Sequence, residues 1–105
     1  MATGSEMKSE MNFLAGARLA TLRQKSFGEL AALPEVHSEE LPVLGKPIRL
    51  STFRENQDVN HLLIVVQAFR ETLLGISAQI SVVGFVISCS GQVTPAPEEA
   101  LWEFQ

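Results

Sequence analysis

Residues 61–69 read His61-Leu62-Leu63-Ile64-Val65-Val66-Gln67-Ala68-Phe69, the most apolar run in the chain. Ile64, Val65 and Val66 are β-branched. Such side chains lose rotamer freedom in a helix and pack well on a pleated surface, so the run predicts a strand. A second apolar run, Ile76–Cys89, follows a break that contains Gly75, and a third, Ile48–Phe53, precedes it across the polar stretch Glu55–Asn60. With an apolar neighbour on each side, 61–69 is expected to be the central strand of an antiparallel sheet.

Working outward, the pattern predicts a four-stranded meander: an edge strand over about 37–43, then Ile48–Glu55, His61–Arg70 and Ile76–Ser90. Leu44-Gly45-Lys46-Pro47, Asn56–Asn60 and Glu71–Gly75 supply the turns. Gly84 lies inside the last strand, where a glycine marks a bulge or a close backbone approach. Towards the N-terminus, apolar residues from Met11 to Arg23 recur at helical spacing and predict a helix, weakened by Gly16. Ser26 and Glu29 stand at capping-box spacing ahead of Leu30 and Leu33, and Pro34 stops the helix expected over 26–33. After Pro95 and Pro97, the acids Glu98 and Glu99 suit the first turn of a short C-terminal helix carrying Leu101, Trp102 and Phe104. The fold class expected is α+β, with N-terminal helices across one face of the sheet. Residues 1–10 read as a disordered segment or tag remnant, with Met7 and Met11 as alternative natural starts, and 11–105 as one domain.

Strand side chains alternate between faces. If the strands keep one parity throughout, the even-numbered face is almost wholly apolar and belongs under the helices. The odd-numbered face divides. One end carries Phe53, Leu63, Val65, Val83, Phe85 and Ile87; the other carries Arg49, Ser51, Gln67, Ser77, Gln79 and Ser81, with Phe69 among them. An apolar half-face of a few hundred Å2 calls for a cover. Either the Leu101–Phe104 tail or a second copy of the chain supplies it, and a homodimer with the tail contributing is the reading taken.

Chemistry-bearing groups are sparse. The chain has 12 acidic and 8 basic residues, a net charge of −4. Nucleic acid and anionic membrane surfaces select clustered positive charge, so neither is an expected partner. No run reaches the ~20 apolar residues of a membrane-spanning helix. No basic leader opens the chain, and a single cysteine, Cys89, excludes an intrachain disulfide and reads as a small buried hydrophobe. A cytoplasmic, reducing setting fits it. His37 and His61 show no metal-ligand spacing, and no metal or cofactor is expected. Phe53-Arg54-Glu55 recurs as Phe69-Arg70-Glu71, a repeat too short to be structural.

These observations point to a non-catalytic interaction module that self-associates through a sheet face, with Phe53, Leu63, Val65, Val83, Phe85, Ile87, Leu101, Trp102 and Phe104 at the interface. The alternative is a small-ligand-binding protein or enzyme with its site between sheet and helices, drawing on Arg49, Ser51, Gln67, Arg70, Gln79 and Ser81. Guanidinium groups suit carboxylate and phosphate, and hydroxyls and amides orient small ligands.

Overall fold

The computed structural model describes residues 4–71 and 78–105. The apolar runs become one antiparallel sheet of five strands in the order β1-β2-β3-β4-β5. They are β1 (Val36–Val43), β2 (Lys46–Asp58), β3 (His61–Glu71), β4 (Ala78–Ser88) and β5 (Val93–Pro95). The helices are α1 (Gly4–Leu22), α2 (Phe27–Ala31) and α3 (Glu98–Trp102). The α+β architecture and the central position of 61–69 are as expected. The additional strand is β5, whose Val93-Thr94-Pro95 is too short to signal itself by alternation and pairs with Phe85–Ile87. The Glu71–Gly75 turn, Ile76 and Ser77 lie mostly or wholly outside the described residues.

Local chemistry explains the element ends. Ser26 accepts from the Glu29 N–H and the Glu29 carboxylate accepts from the Ser26 N–H, the capping box read from the sequence. Leu44 and Gly45 both take positive φ, 51° and 76°. Two successive left-handed residues are what a tight hairpin turn with the right-handed strand twist requires. At the other end of β2 a register shift between Asn56 and Asp58 absorbs one residue before the turn into β3.

The expectation that residues 1–10 lack structure is corrected from residue 4 onward. Helix α1 starts at Gly4 rather than Met11, and Met7 and Met11 are both buried in the main core. Met7, Met11, Ala15 and Leu22 form its buried stripe, while Phe13 is 71% exposed. The stripe begins inside the segment whose polar composition masked it. Lys8 Nζ donates to the Ile80 carbonyl, the Ser81 hydroxyl donates to Asn12 Oδ1, and Arg18 pairs with Glu39. These contacts tie α1 to β4 on one side and to β1 on the other.

Sheet and helices enclose a core of Ile48, Leu50, Leu62, Ile64, Val66, Ala68, Phe85 and Ile87 beneath α1 and α2. One expectation about faces fails here. Leu62 stands opposite Ile87, Ile64 opposite Phe85 and Val66 opposite Val83, so even-numbered β3 residues share a face with odd-numbered β4 residues. Cross-strand partners share a face, and the β3–β4 register alone decides which residues are partners. Val83, Phe85 and Ile87 therefore lie under the helices. Val82 and Val86, assigned by parity to the helix side, point the other way.

Candidate functional site

The outer sheet face is built from cross-strand rows. Glu55, Leu63 and Val86 form one, followed by Phe53, Val65 and Gly84, then Ser51, Gln67 and Val82, then Arg49, Phe69 and Ile80. Over the apolar end of this face the C-terminal tail folds back. β5 aligns it, the Ala96 N–H donates to the Gly84 carbonyl at 3.3 Å, and α3 follows. Leu101 and Phe104 pack with Ala96 and Ala100 on Leu63, Val65, Val82 and Val86. The Phe53 and Phe104 rings meet at 4.9 Å between centroids, tilted by 52°. Gln67 Nε2 donates to the Phe104 carbonyl and fastens the end of the tail. Of the two covers the sequence left open, the tail occupies this half-face within the chain itself.

The expected interface residues thus separate. Phe53, Leu63, Val65, Leu101 and Phe104 meet as anticipated on the outer face, and Val83, Phe85 and Ile87 belong to the core on the other side. Trp102, expected to dock with its neighbours, remains 63% exposed. In a helix the residue after Leu101 is turned about 100° away from it, so a tail that seats Leu101 presents Trp102 to solvent. Val36 stands opposite Phe53, and it too is exposed.

The six polar candidates divide between the faces. Arg49, Ser51 and Gln67 lie on the outer face; Arg70, Gln79 and Ser81 lie on the helix side. Each is engaged locally. The Arg49 guanidinium sits 4.7 Å from the Phe69 ring centroid, the Ser51 and Ser38 hydroxyls are 2.7 Å apart, and Arg70 donates to Gln79 Oε1 at 2.9 Å. Arg49 and Phe69 line a shallow cleft of about 220 Å3 with Glu40, Pro47 and Glu71. The two Phe-Arg-Glu copies are not brought together. Arg54 donates to the Leu33 carbonyl at 2.8 Å and to Asn56 Oδ1 at 2.7 Å, far in the register from the Arg70–Gln79 pair.

The remaining reactive groups sit at strand ends. His61 Nδ1 lies 2.9 Å from Asp58 Oδ1. That contact, with the Asn60 N–H next in weight, holds the Asp58 carboxyl below its ordinary value. Cys89, read as a buried strand residue, is exposed just beyond β4, with its thiol 3.6 Å from Asn60 Oδ1. Among the described residues no group of His, Cys, Asp and Glu is arranged to hold a metal ion, and no helix is long and apolar enough to cross a membrane.

One recess does lie between sheet and helices, but none of the six polar candidates lines it. Between the C-terminal half of α1, the α2–β1 connection and β1–β2 lies a cavity of about 280 Å3, lined by Arg18, Leu22, Leu33, Pro34, His37 and Thr52. Two of these residues come from α1, two from the α2–β1 connection and one each from β1 and β2, so no local pattern announces them. Only the His37–Thr52 register pair ties two of them together. The hydrogen bond from Arg18, and then its charge, lowers the carboxyl pKa of its partner Glu39.

No known protein family, curated protein or solved structure matches this chain.

Proposed function

We propose that this chain is a non-catalytic interaction module that self-associates through the outer face of its sheet, with the C-terminal tail forming part of the contact. The observation that carries the reading is the exposure of Trp102 on a helix whose neighbouring Leu101 and Phe104 are seated. Tryptophan combines a large apolar surface with one N–H donor and is enriched where partners bind most strongly. An apolar strip on the same face supports it: exposed Val36 beside Phe53, and Phe53 against Phe104. The polar groups there favour binding over catalysis. The Ser51 hydroxyl is matched with another serine rather than with a base, and a serine nucleophile needs a base.

Size-exclusion chromatography with light scattering, over a range of concentrations, tests the proposal. The full chain is expected to reach the mass of two copies as concentration rises. Trp102→Ala is expected to weaken association about tenfold or more, roughly 1.4 kcal/mol or above. A full chain that stays folded and monomeric up to millimolar concentration overturns self-association.

A further inference from the structure

The cavity between α1, the α2–β1 connection and the β1–β2 pair has two kinds of lining. Leu22, Leu33 and Pro34 supply apolar walls. Arg18, His37 and Thr52 supply hydrogen-bonding groups. Arg18 donates one terminal nitrogen to Glu39, and no other described group accepts from the guanidinium. Thr52 and His37 face each other across the β1–β2 register at the cavity wall, Thr52 at 8% exposure. Apolar walls with a few convergent polar groups are the usual make-up of a small-ligand site.

We infer that this cavity binds a small carboxylic acid with an apolar body. The walls would take the hydrocarbon part, and the carboxylate would take the guanidinium N–H groups that Glu39 leaves unused, with the Thr52 hydroxyl and the His37 ring as further donors. A guanidinium presents its donors in a planar fork that matches a carboxylate. An ammonium ligand is disfavoured, because no carboxylate lines the cavity and the one that Arg18 holds, Glu39, is already paired. The volume of about 280 Å3 falls just under the ~300–1,000 Å3 range of drug-sized ligands, so the acid is a short aliphatic or single-ring one. This inference is independent of self-association through the outer face, on the opposite side of the sheet.

Hexanoate, hexanol and hexylamine titrated against the isotope-labelled full chain, followed by amide chemical shifts, test it. Hexanoate is expected to give saturable shifts centred on Arg18, Leu22, Leu33, His37 and Thr52, with hexanol and hexylamine binding at least about tenfold more weakly. Arg18→Gln is expected to weaken hexanoate by about tenfold, with the fold checked by the same spectra. Glu39→Gln removes the competing carboxylate and is expected to strengthen hexanoate severalfold, a gain that a damaged fold does not produce. The proposal is overturned by the absence of saturable shifts at this cavity, by hexanol or hexylamine binding as tightly as hexanoate, or by a Glu39→Gln chain that binds hexanoate no better.

Discussion

Leu101 closes directly over Gly84: a Cβ placed on Gly84 would stand 3.0 Å from Leu101 Cδ2 and 2.8 Å from the Ile64 carbonyl oxygen. The leucine end can rotate away, but the backbone oxygen of the central strand cannot. Gly84→Ala gains about 0.5–1 kcal/mol from reduced chain freedom. Overpacking against backbone costs typically ~1–3 kcal/mol. The clash therefore wins, and urea unfolding is expected to show net destabilisation of about 1–2 kcal/mol. Adding Leu101→Ala should recover little of it, since Ile64 is the tighter obstacle.

The tail is the cover of an apolar surface, and its removal is expected to expose it. A chain ending at Pro95 uncovers Leu63, Val65, Val82 and Val86. It should bind a hydrophobic dye that the full chain excludes, and melt at a lower temperature. Leu101→Ala, at a half-buried site, is expected to cost about 1–2 kcal/mol, below the ~2–5 of a fully buried leucine. Equal dye binding by both chains would show that the tail does not shield this face in solution.

The β4 register makes a sharp comparison between neighbours. Phe85 is buried at 2% exposure beneath the helices, whereas Val82 is half-buried beneath the tail. Phe85→Ala is expected to cost about 3–5 kcal/mol. Val82→Ala should cost roughly 1 kcal/mol, in line with the methyl groups removed from a half-exposed site. The two urea midpoints decide which face each residue occupies.

Leu44 holds φ at 51° in the β1–β2 turn and is exposed, so its side chain adds strain without core packing. The left-handed region costs an ordinary residue about 1–2 kcal/mol, and asparagine tolerates it better. Leu44→Asn creates Asn-Gly at the turn and is expected to stabilise the protein by about 0.5–1 kcal/mol, read as a raised urea midpoint at unchanged slope.

Acid should destabilise the fold. Glu29, Glu39 and Asp58 all have lowered pKa values: Glu29 through hydrogen bonds from Ser26, Glu39 through Arg18, and Asp58 through His61. A carboxyl lowered in the folded state binds fewer protons there than in the unfolded chain, so stability rises with pH across the acid range. Its contribution is full above the ordinary values of 4.5 and 3.8 and is lost as pH falls below them. Glu29 and Asp58 are exposed and Glu39 is half-buried, so salt should shrink the effect. Melting temperature against pH is expected to fall on the acid side, and Glu39→Gln or Asp58→Asn to flatten that limb.

Much of the architecture was legible because it rests on short-range chemistry. The β-branched run at 61–69 declared the central strand, Ser26 and Glu29 declared the cap of α2, and Leu44–Pro47 declared the first hairpin turn. Helix α1 was half-legible: Met7 and Met11 stand four residues apart, a signal present in the sequence but submerged among Ser, Glu and Lys. The candidate sites were less so. Leu101 and Phe104 met Leu63 and Val65 as their composition suggested, but Arg49 and Arg70 ended on opposite faces.

What the sequence determined by itself is therefore the kind of element each stretch becomes, since that follows from periodicity, capping and turn residues within a few positions. Which residues share a face depended instead on how the strands came together. The β3–β4 register placed Phe85 and Ile87 with the helices and Val82 and Val86 with the tail, and a shift of one residue would have reversed all four. The packing of the tail set Trp102 in solvent, and the packing of α1 and the α2–β1 connection on β1 and β2 gathered Arg18, Leu33, His37 and Thr52 around one cavity. Side-chain period along a strand is two, so register carries the difference between inside and outside, and register depends on long-range packing that no local pattern contains.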